Sequence, residues 1–218
     1  MNKSTPIFIL IGPPAVGKST TSRALAARFK RSVHISVDDL REMVVSGLLL
    51  PSAVWSAELA KQIAIARKNT TQMTENYQSA DFCVVVDDFW DANFLSDYQE
   101  LLSQPSVHKI LLFPQQETAH QRNYVRSDGA ETRTYIDEGI KIVYDQLKDS
   151  LEDLINTGWI IVDSSEMSGE DTVDYILKTS ISYYRLTFKL RVQTRGVSGP
   201  VKGDKSIIRI IWNISKGP

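Results

Sequence analysis

Apolar residues along this chain gather in five short runs separated by longer amphipathic stretches. The runs are Ile7–Ile11, Val33–Ser36, Phe82–Val86, Lys109–Phe113 and Trp159–Val162. Each is nearly continuous rather than alternating, the pattern of a strand covered on both faces. The stretches between them repeat apolar positions at helical spacing. They predict helices over Ser19–Lys30, Ser52–Gln78, Ala92–Leu102, Thr118–Ser127, Thr134–Ile155 and Glu170–Thr179. Strands joined by helical crossovers imply an α/β fold with a parallel sheet, wound right-handedly.

This rhythm stops near residue 181. Leu186–Val192 alternates as a strand does, glycines and Pro200 punctuate, and Ile207–Ile214 is a second β-like run. Residues 180–218 carry eight Lys and Arg against Asp204 alone, whereas 1–179 hold 17 basic and 25 acidic residues. The reading is one domain over 1–180 and a basic C-terminal extension over 181–218, either a β-hairpin or a disordered arm. An acidic body argues against a broad polynucleotide-binding face, and a basic tail argues weakly for one. A chain of 218 residues, 42% hydrophobic, can bury one good-sized core. Cys83 stands alone, so no disulfide framework is expected. No secretory pattern precedes Ile7, and no run approaches the roughly eighteen apolar residues of a membrane helix. The expectation is a cytoplasmic protein without membrane attachment.

The turn after the first apolar run narrows the chemistry. Gly12-Pro13-Pro14-Ala15-Val16-Gly17-Lys18-Ser19-Thr20 fits G-x-x-x-x-G-K-[ST] between a strand and a helix. In such a turn successive backbone N–H groups point inward and cradle nucleotide phosphates. Lys18 reaches the phosphates and the Ser19 hydroxyl ligates Mg²⁺. The cofactors expected are therefore ATP, as phosphate donor, and Mg²⁺. No base-reading motif distinguishes ATP from GTP directly, and the Asn-Lys-x-Asp sequence of GTPases is absent.

Carboxylates follow at the ends of the next two runs, where α/β sheets bind ligands. Asp38 and Asp39 follow the second run. A kinase needs a carboxylate there to accept the proton of the attacking hydroxyl. The pair also allows a helix cap, with Asp38 as base and Asp39 as cap. Arg41, one turn later, can hold an anionic group on the acceptor. Asp87 and Asp88 end the third run, the pattern that sets a carboxylate near Mg²⁺. Asp87 is preferred, although alternate strand residues point opposite ways. Arg122 and Arg126 share a helix face before Gly129 and can close on the donor phosphates as part of a lid. His34, His108 and His120 show no metal-ligand spacing and are read as structural. Trp55, Trp90 and Tyr124 can stack on an acceptor or fill the core.

The ordered set Gly-Pro-Pro-Ala-Val-Gly-Lys-Ser-Thr, Asp-Asp-Leu-Arg, Val-Val-Val-Asp-Asp and Arg-Asn-Tyr-Val-Arg resembles the P-loop kinases grouped around polynucleotide 5′-hydroxyl kinase, with zeta-type toxins and chloramphenicol phosphotransferases as relatives. The resemblance covers roughly residues 5–178. It implies a P-loop NTPase three-layer sandwich with a five-stranded parallel sheet, order 2-3-1-4-5, and a helical lid. It also implies that Asp38 is the general base, Arg41 the acceptor-phosphate arginine and Arg126 the lid arginine on the donor phosphates. Where polynucleotide kinases carry Thr-Asn after the third-strand acid, this chain has Phe89-Trp90. The activity so implied is transfer of the ATP γ-phosphate to a hydroxyl. A nucleic-acid end and a small molecule (antibiotic, nucleoside or nucleotide sugar) both remain open as acceptor, and a non-catalytic ATP-binding switch is the alternative to an enzyme.

Overall fold

The structure is a computed structural model that describes residues 5–51 and 55–180. Five strands, β1 (Ile7–Ile11), β2 (Ser32–Ser36), β3 (Cys83–Asp87), β4 (Val107–Leu112) and β5 (Trp159–Val162), form one sheet in the order β2-β3-β1-β4-β5. Every pairing is parallel. This is the expected α/β P-loop sandwich with its expected strand order.

Sheet burial follows from the continuous apolar runs. All five residues of β1 and all five of β3 are buried. Alternate residues face opposite sides. Ile7, Ile9 and Ile11 join one apolar cluster with Val84, Val86, Phe94 and Leu147. Phe8 and Leu10 join a second with Leu25, Val85, Ile110 and Ile140. Two cores on the two faces of one sheet make three layers.

Helices differ from the sequence expectation mainly at their ends. Helix α1 (Lys18–Ala26) stops short of Lys30 because its carbonyls find other donors. The Phe29 N–H and the Ser32 hydroxyl both donate to the Ala26 carbonyl, at 3.1 and 2.7 Å. A short helix, α2 (Val37–Glu42), begins directly at the end of β2 and is too brief to leave a periodic signature. The long helix α3 spans Ala57–Ser79 and is capped by Ser56, whose hydroxyl accepts from Leu59 N–H at 3.1 Å. The helix expected over Ala92–Leu102 divides into α4 (Phe94–Asp97) and α5 (Gln99–Leu102) about Tyr98. Helices α6 (Gln116–Arg126) and α7 (Ala130–Asn156) form a hairpin through 127–129. A last helical stretch occupies 169–180. The basic extension expected over 181–218, and the predicted start of the long helix at Ser52, lie outside the described residues. No helix among the described residues is long and apolar enough to cross a membrane.

Strand register positions the site. Leu10 and Ser36 both lie opposite Asp87. The turn after β1, the start of α2 and the acids ending β3 therefore emerge side by side at one sheet edge. Gly12 makes this approach possible. Its φ is 153°, and a Cβ there would stand 2.3 Å from the Leu112 carbonyl oxygen. Gly12→Ala is expected to destabilise the fold by roughly 2–4 kcal/mol, from backbone strain plus overpacking. A urea denaturation midpoint equal to that of the wild type would contradict it.

Candidate active site

The phosphate loop is built as the sequence implies. Gly17 at φ 93° and Ala15 at φ 61° both hold left-handed backbone, the alternation that turns successive amides inward into an anion-binding nest. Helix α1 starts immediately afterwards, with no side-chain cap and no acid in its first turn. Its N-terminal N–H groups and positive dipole end are thus left for an anion. The Lys18 ammonium donates to the carbonyls of Gly12 and Pro13 at 3.1 and 2.9 Å, folding over the cradle. Its removal from water lowers its pKa. The carboxylates of Asp38, Asp87 and Asp88 oppose that shift, and Arg126 adds to it. Four charged groups from three other elements therefore converge electrostatically on one ammonium.

Asp87 is the third-strand acid that meets the loop. The Ser19 hydroxyl donates to its Oδ1 at 3.2 Å, and the His34 ring Nε2 is hydrogen-bonded to its Oδ2. A hydroxyl and a carboxylate oxygen side by side are the hard donors that suit Mg²⁺, which takes its remaining ligands from water and phosphate. No group of three or more His, Cys, Asp or Glu suited to a metal occurs among the described residues. The loop, Lys18 and the Ser19–Asp87 pair thus fit ATP and Mg²⁺.

Asp88 turns the other way, into a buried charge cluster that sequence reading missed. Arg67 of α3 is fully buried and donates from Nε to Asp88 at 2.8 Å and from Nη1 to Asp97 at 2.9 Å. Its Nη2 donates to the Phe89 carbonyl at 3.2 Å and lies 2.5 Å from Asp91. Burial alone would lower the Arg67 pKa, but Asp88 and Asp91 raise it above the ordinary arginine value. Arg67 occupies the helix stripe of Leu59, Ile63, Ala66, Thr70 and Thr74, where periodicity leads one to expect apolar groups. The available clue was the run of acids, Asp88, Asp91 and Asp97, directly after an apolar strand.

On the acceptor side, Asp38 has an exposed carboxylate and Arg41 is buried beneath it. Arg41 Nη1 donates to Asp38 Oδ1 at 3.3 Å and Nη2 to the Leu49 carbonyl at 2.8 Å. The Phe89 ring lies 5.4 Å from the guanidinium. The capping role assigned to Asp39 is corrected: Ser36 caps α2, accepting from Asp39 N–H at 3.3 Å. Tyr135 of α7, also missed, donates to the Pro51 carbonyl, and its hydroxyl feels the charges of Asp38 and Arg41.

The two α6 arginines separate in role. Arg122 donates to the carbonyls of Val16 and Ser164 at 3.0 and 2.9 Å, tying the phosphate loop to the segment after β5. Arg126 is exposed, with its charge directed at Lys18. The turn between α6 and α7 is fixed by Asn123, which donates to Asp137 and the Arg133 carbonyl at 2.9 and 3.0 Å. His120 is hydrogen-bonded to Asp137 at 2.6 Å. Trp90 is core, packed on Phe94, whereas Trp55 and Tyr124 are exposed.

The AAA domain family matches residues 7–154. No curated protein sequence matches the chain. Among solved structures, the shikimate kinase of Acinetobacter baumannii in complex with shikimate shares 19% identity at a TM-score of 0.57, covering 82% of this chain and 94% of that one. A gluconokinase of Sinorhizobium meliloti 1021 shares 16% at 0.56, with 88% and 99% covered. The tunicamycin resistance protein of Deinococcus radiodurans shares 13% at 0.54, with 81% and 96% covered. At these identities the likeness is one of fold.

Asp88 supplies a pH test of the charge cluster. Burial pushes its carboxyl up to about 6, against the pull of Arg67 and of the Phe89 N–H. A carboxyl whose pKa is higher folded than unfolded binds its proton more tightly in the folded state. Its contribution to stability is complete below about pH 4, the unfolded carboxylate value, and is lost as pH rises through about 6. Between pH 4 and 7 the wild type is expected to lose on the order of 2 kcal/mol relative to Asp88→Asn. Parallel urea denaturation curves for the two proteins across that range would exclude this titration.

Proposed function

We propose, from the premise that the chain belongs to the AAA domain family, that it is an ATP-dependent kinase moving the γ-phosphate onto a hydroxyl of a small molecule. The observation that carries this reading is the strand register that sets the Ser19–Asp87 pair beside the start of α2, where buried Arg41 holds the exposed Asp38 carboxylate at the mouth of an uncapped helix. A nucleotide switch needs the cradle and the Ser19–Asp87 pair, but has no use for an exposed carboxylate held at the same edge by a buried arginine.

In this reading the loop amides, Lys18 and the N-terminus of α1 hold the donor phosphates. Bound Mg²⁺ neutralises charge on the phosphate oxygens; Ser19 and Asp87 would hold it, with His34 fixing the Asp87 carboxylate. Asp38 accepts the acceptor-hydroxyl proton as that oxygen attacks the γ-phosphorus and the bond to the β-bridging oxygen breaks, releasing ADP. Arg126 offsets charge on the transferring group, and Arg122 keeps the loop in shape through Val16.

Two observations favour a small molecule over a nucleic-acid end. Arg41 is the only Lys or Arg in α2 and the segment leading from it to α3, where it is buried against Asp38, and phosphate-backbone binding depends on several exposed cations. The similar folds quoted above include kinases named for shikimate and gluconate, both small hydroxyl compounds. The decisive assay follows transfer of labelled γ-phosphate from ATP to a small-molecule panel beside 5′-hydroxyl oligonucleotides. Labelling of oligonucleotides alone would overturn the small-molecule assignment.

Lys18→Ala is expected to lower transfer about 1,000-fold or more. Asp38→Asn is expected to lower it about 100- to 10,000-fold while nucleotide affinity by calorimetry stays within a few-fold. Turnover of Asp38→Asn at the wild-type rate would remove Asp38 from the mechanism. His34→Ala is expected to raise the Mg²⁺ concentration for half-maximal transfer about 10- to 100-fold with a folded protein by circular dichroism. An unchanged Mg²⁺ requirement would reduce His34 to a packing role.

A further inference from the structure

We propose that the acceptor is an uncharged alcohol with an apolar body, whose hydrocarbon part lies against a wall formed by α2, residues 43–51 and α3 while its hydroxyl reaches Asp38. This rests on the kinase reading and names the substrate class for that same site. A cavity of about 230 Å³ opens beside Arg41, with apolar walls from Leu40, Met43, Val44, Leu48, Ile65 and Ala66. Arg41 lines it while its Nη1 holds Asp38, so the cavity and the base lie within the reach of one side chain.

The wall is exposed by construction. Seven of the thirteen exposed large apolar side chains among the described residues fall between Met43 and Ile65, with Val45 wholly exposed. Three of these, Met43, Val44 and Ile65, line the cavity, and exposed apolar groups gathered around a cleft mark a binding site. Its backbone is nevertheless pinned. Gln62 donates to the Gly47 carbonyl at 2.9 Å and accepts from Leu49 N–H at 3.0 Å. Arg41 holds the Leu49 carbonyl, and Tyr135 the Pro51 carbonyl. These bonds keep the segment in place with its side chains outward rather than folded into the core.

Charge at the mouth gives an anion little to hold. Asp38, Asp39 and Glu42 of α2 surround Arg41, the one base of that helix. Arg41 is already committed to Asp38 and to the Leu49 carbonyl, and its one unpartnered group is a buried Nε. An anionic acceptor would face the α2 carboxylates with Arg41 already engaged, and a neutral one meets hydrocarbon. In this proposal Arg41 positions Asp38 and the wall, where the sequence alone suggested that it holds an anionic acceptor group.

The test is a series of 4-alkylbenzyl alcohols from methyl to butyl, with D-gluconate and a 5′-hydroxyl oligonucleotide alongside. Affinity is measured by calorimetry with and without Mg²⁺ and the β,γ-imido analogue of ATP, and transfer with labelled ATP. Affinity for the alcohols should rise about fourfold per added methylene, as burial of each CH₂ predicts. Ile65→Asp should weaken 4-butylbenzyl alcohol at least tenfold, with nucleotide affinity showing that the variant is folded. Affinity that does not change with chain length overturns the proposal, as does better phosphorylation of gluconate or the oligonucleotide than of any alcohol. A concentration-dependent dimer lost in Ile65→Asp, together with a flat alcohol series, assigns the wall to a second copy and also overturns it. Failure of the kinase reading is distinct: no compound of the panel is then phosphorylated, whether or not the nucleotide analogue binds, whereas the slope of alcohol affinity without nucleotide persists.

Discussion

Two adjacent carboxylates at the end of a buried strand are the constraint around which this domain is arranged. Asp87 and Asp88 are almost fully buried, and burying ionised carboxyls is costly unless each finds partners. The strand pleat sends them to opposite sides. Asp87 reaches the Ser19 hydroxyl and His34, and Asp88 reaches Arg67. One side became the floor of the phosphate site and the other an internal brace. That brace links α3 to the segment carrying Asp91 and Asp97, so it also fixes the helix whose outer face carries Ile65. Donor and acceptor halves of the site are thus referred to one strand end.

The sheet, its order and the phosphate loop were legible in the sequence because each has a strong local signal. Doubly covered strands leave continuous apolar runs, and a phosphate-binding turn needs particular residues at fixed spacing. The positions of Asp38 and Asp87 beside the phosphate loop were legible for the same reason, at strand ends where this topology puts ligands, while their roles belong to the proposal. What was not legible depended on long-range geometry. Arg67 looks like a misplaced charge on an apolar stripe until three acids from a later segment surround it. His34 lies opposite Val85 in register, and only the fold brings its ring to Asp87. Arg122 and Arg126 look equivalent on a helix face, yet one is spent on backbone carbonyls and the other is exposed and acts on Lys18 through its charge. The Asp39 cap was a local inference that lost to Ser36, three residues earlier and better placed for the N3 amide.

The two halves of the site are made of different materials. The donor half is largely backbone, with amides, a helix terminus and one ammonium in a turn that Gly12 and Gly17 make possible. Such a surface recognises a phosphate chain and little else. The acceptor half is side chains on α2, α3 and the segment between them, tied down by Gln62, Arg41 and Tyr135. Tyr135 ties the α6–α7 hairpin to that segment through Pro51, and Arg126 of the same hairpin acts on Lys18 through its charge. In the proposed reaction, closure over both substrates falls to this single element, whose turn is braced by Asn123 and Asp137.

Charge balance at the mouth explains why a divalent cation belongs to the proposed reaction. A triphosphate entering the cradle meets Lys18 and Arg126, but it also meets Asp38 and Asp87. Lys18 is itself weakened as a cation by its removal from water and by Arg126. Against two carboxylates in a partly dehydrated site, those two cations do not cancel a polyanion. The Ser19–Asp87 pair turns the liability into a ligand set, because Asp87 repels phosphate only until a cation lies between them. Asp38 cannot be neutralised in the same way, since a proton acceptor must stay basic. In the proposed reaction its charge is instead offset from behind by the buried Arg41. The buried arginine, the exposed base and the metal-ready carboxylate therefore solve one electrostatic problem, that of keeping a basic oxygen beside a triphosphate.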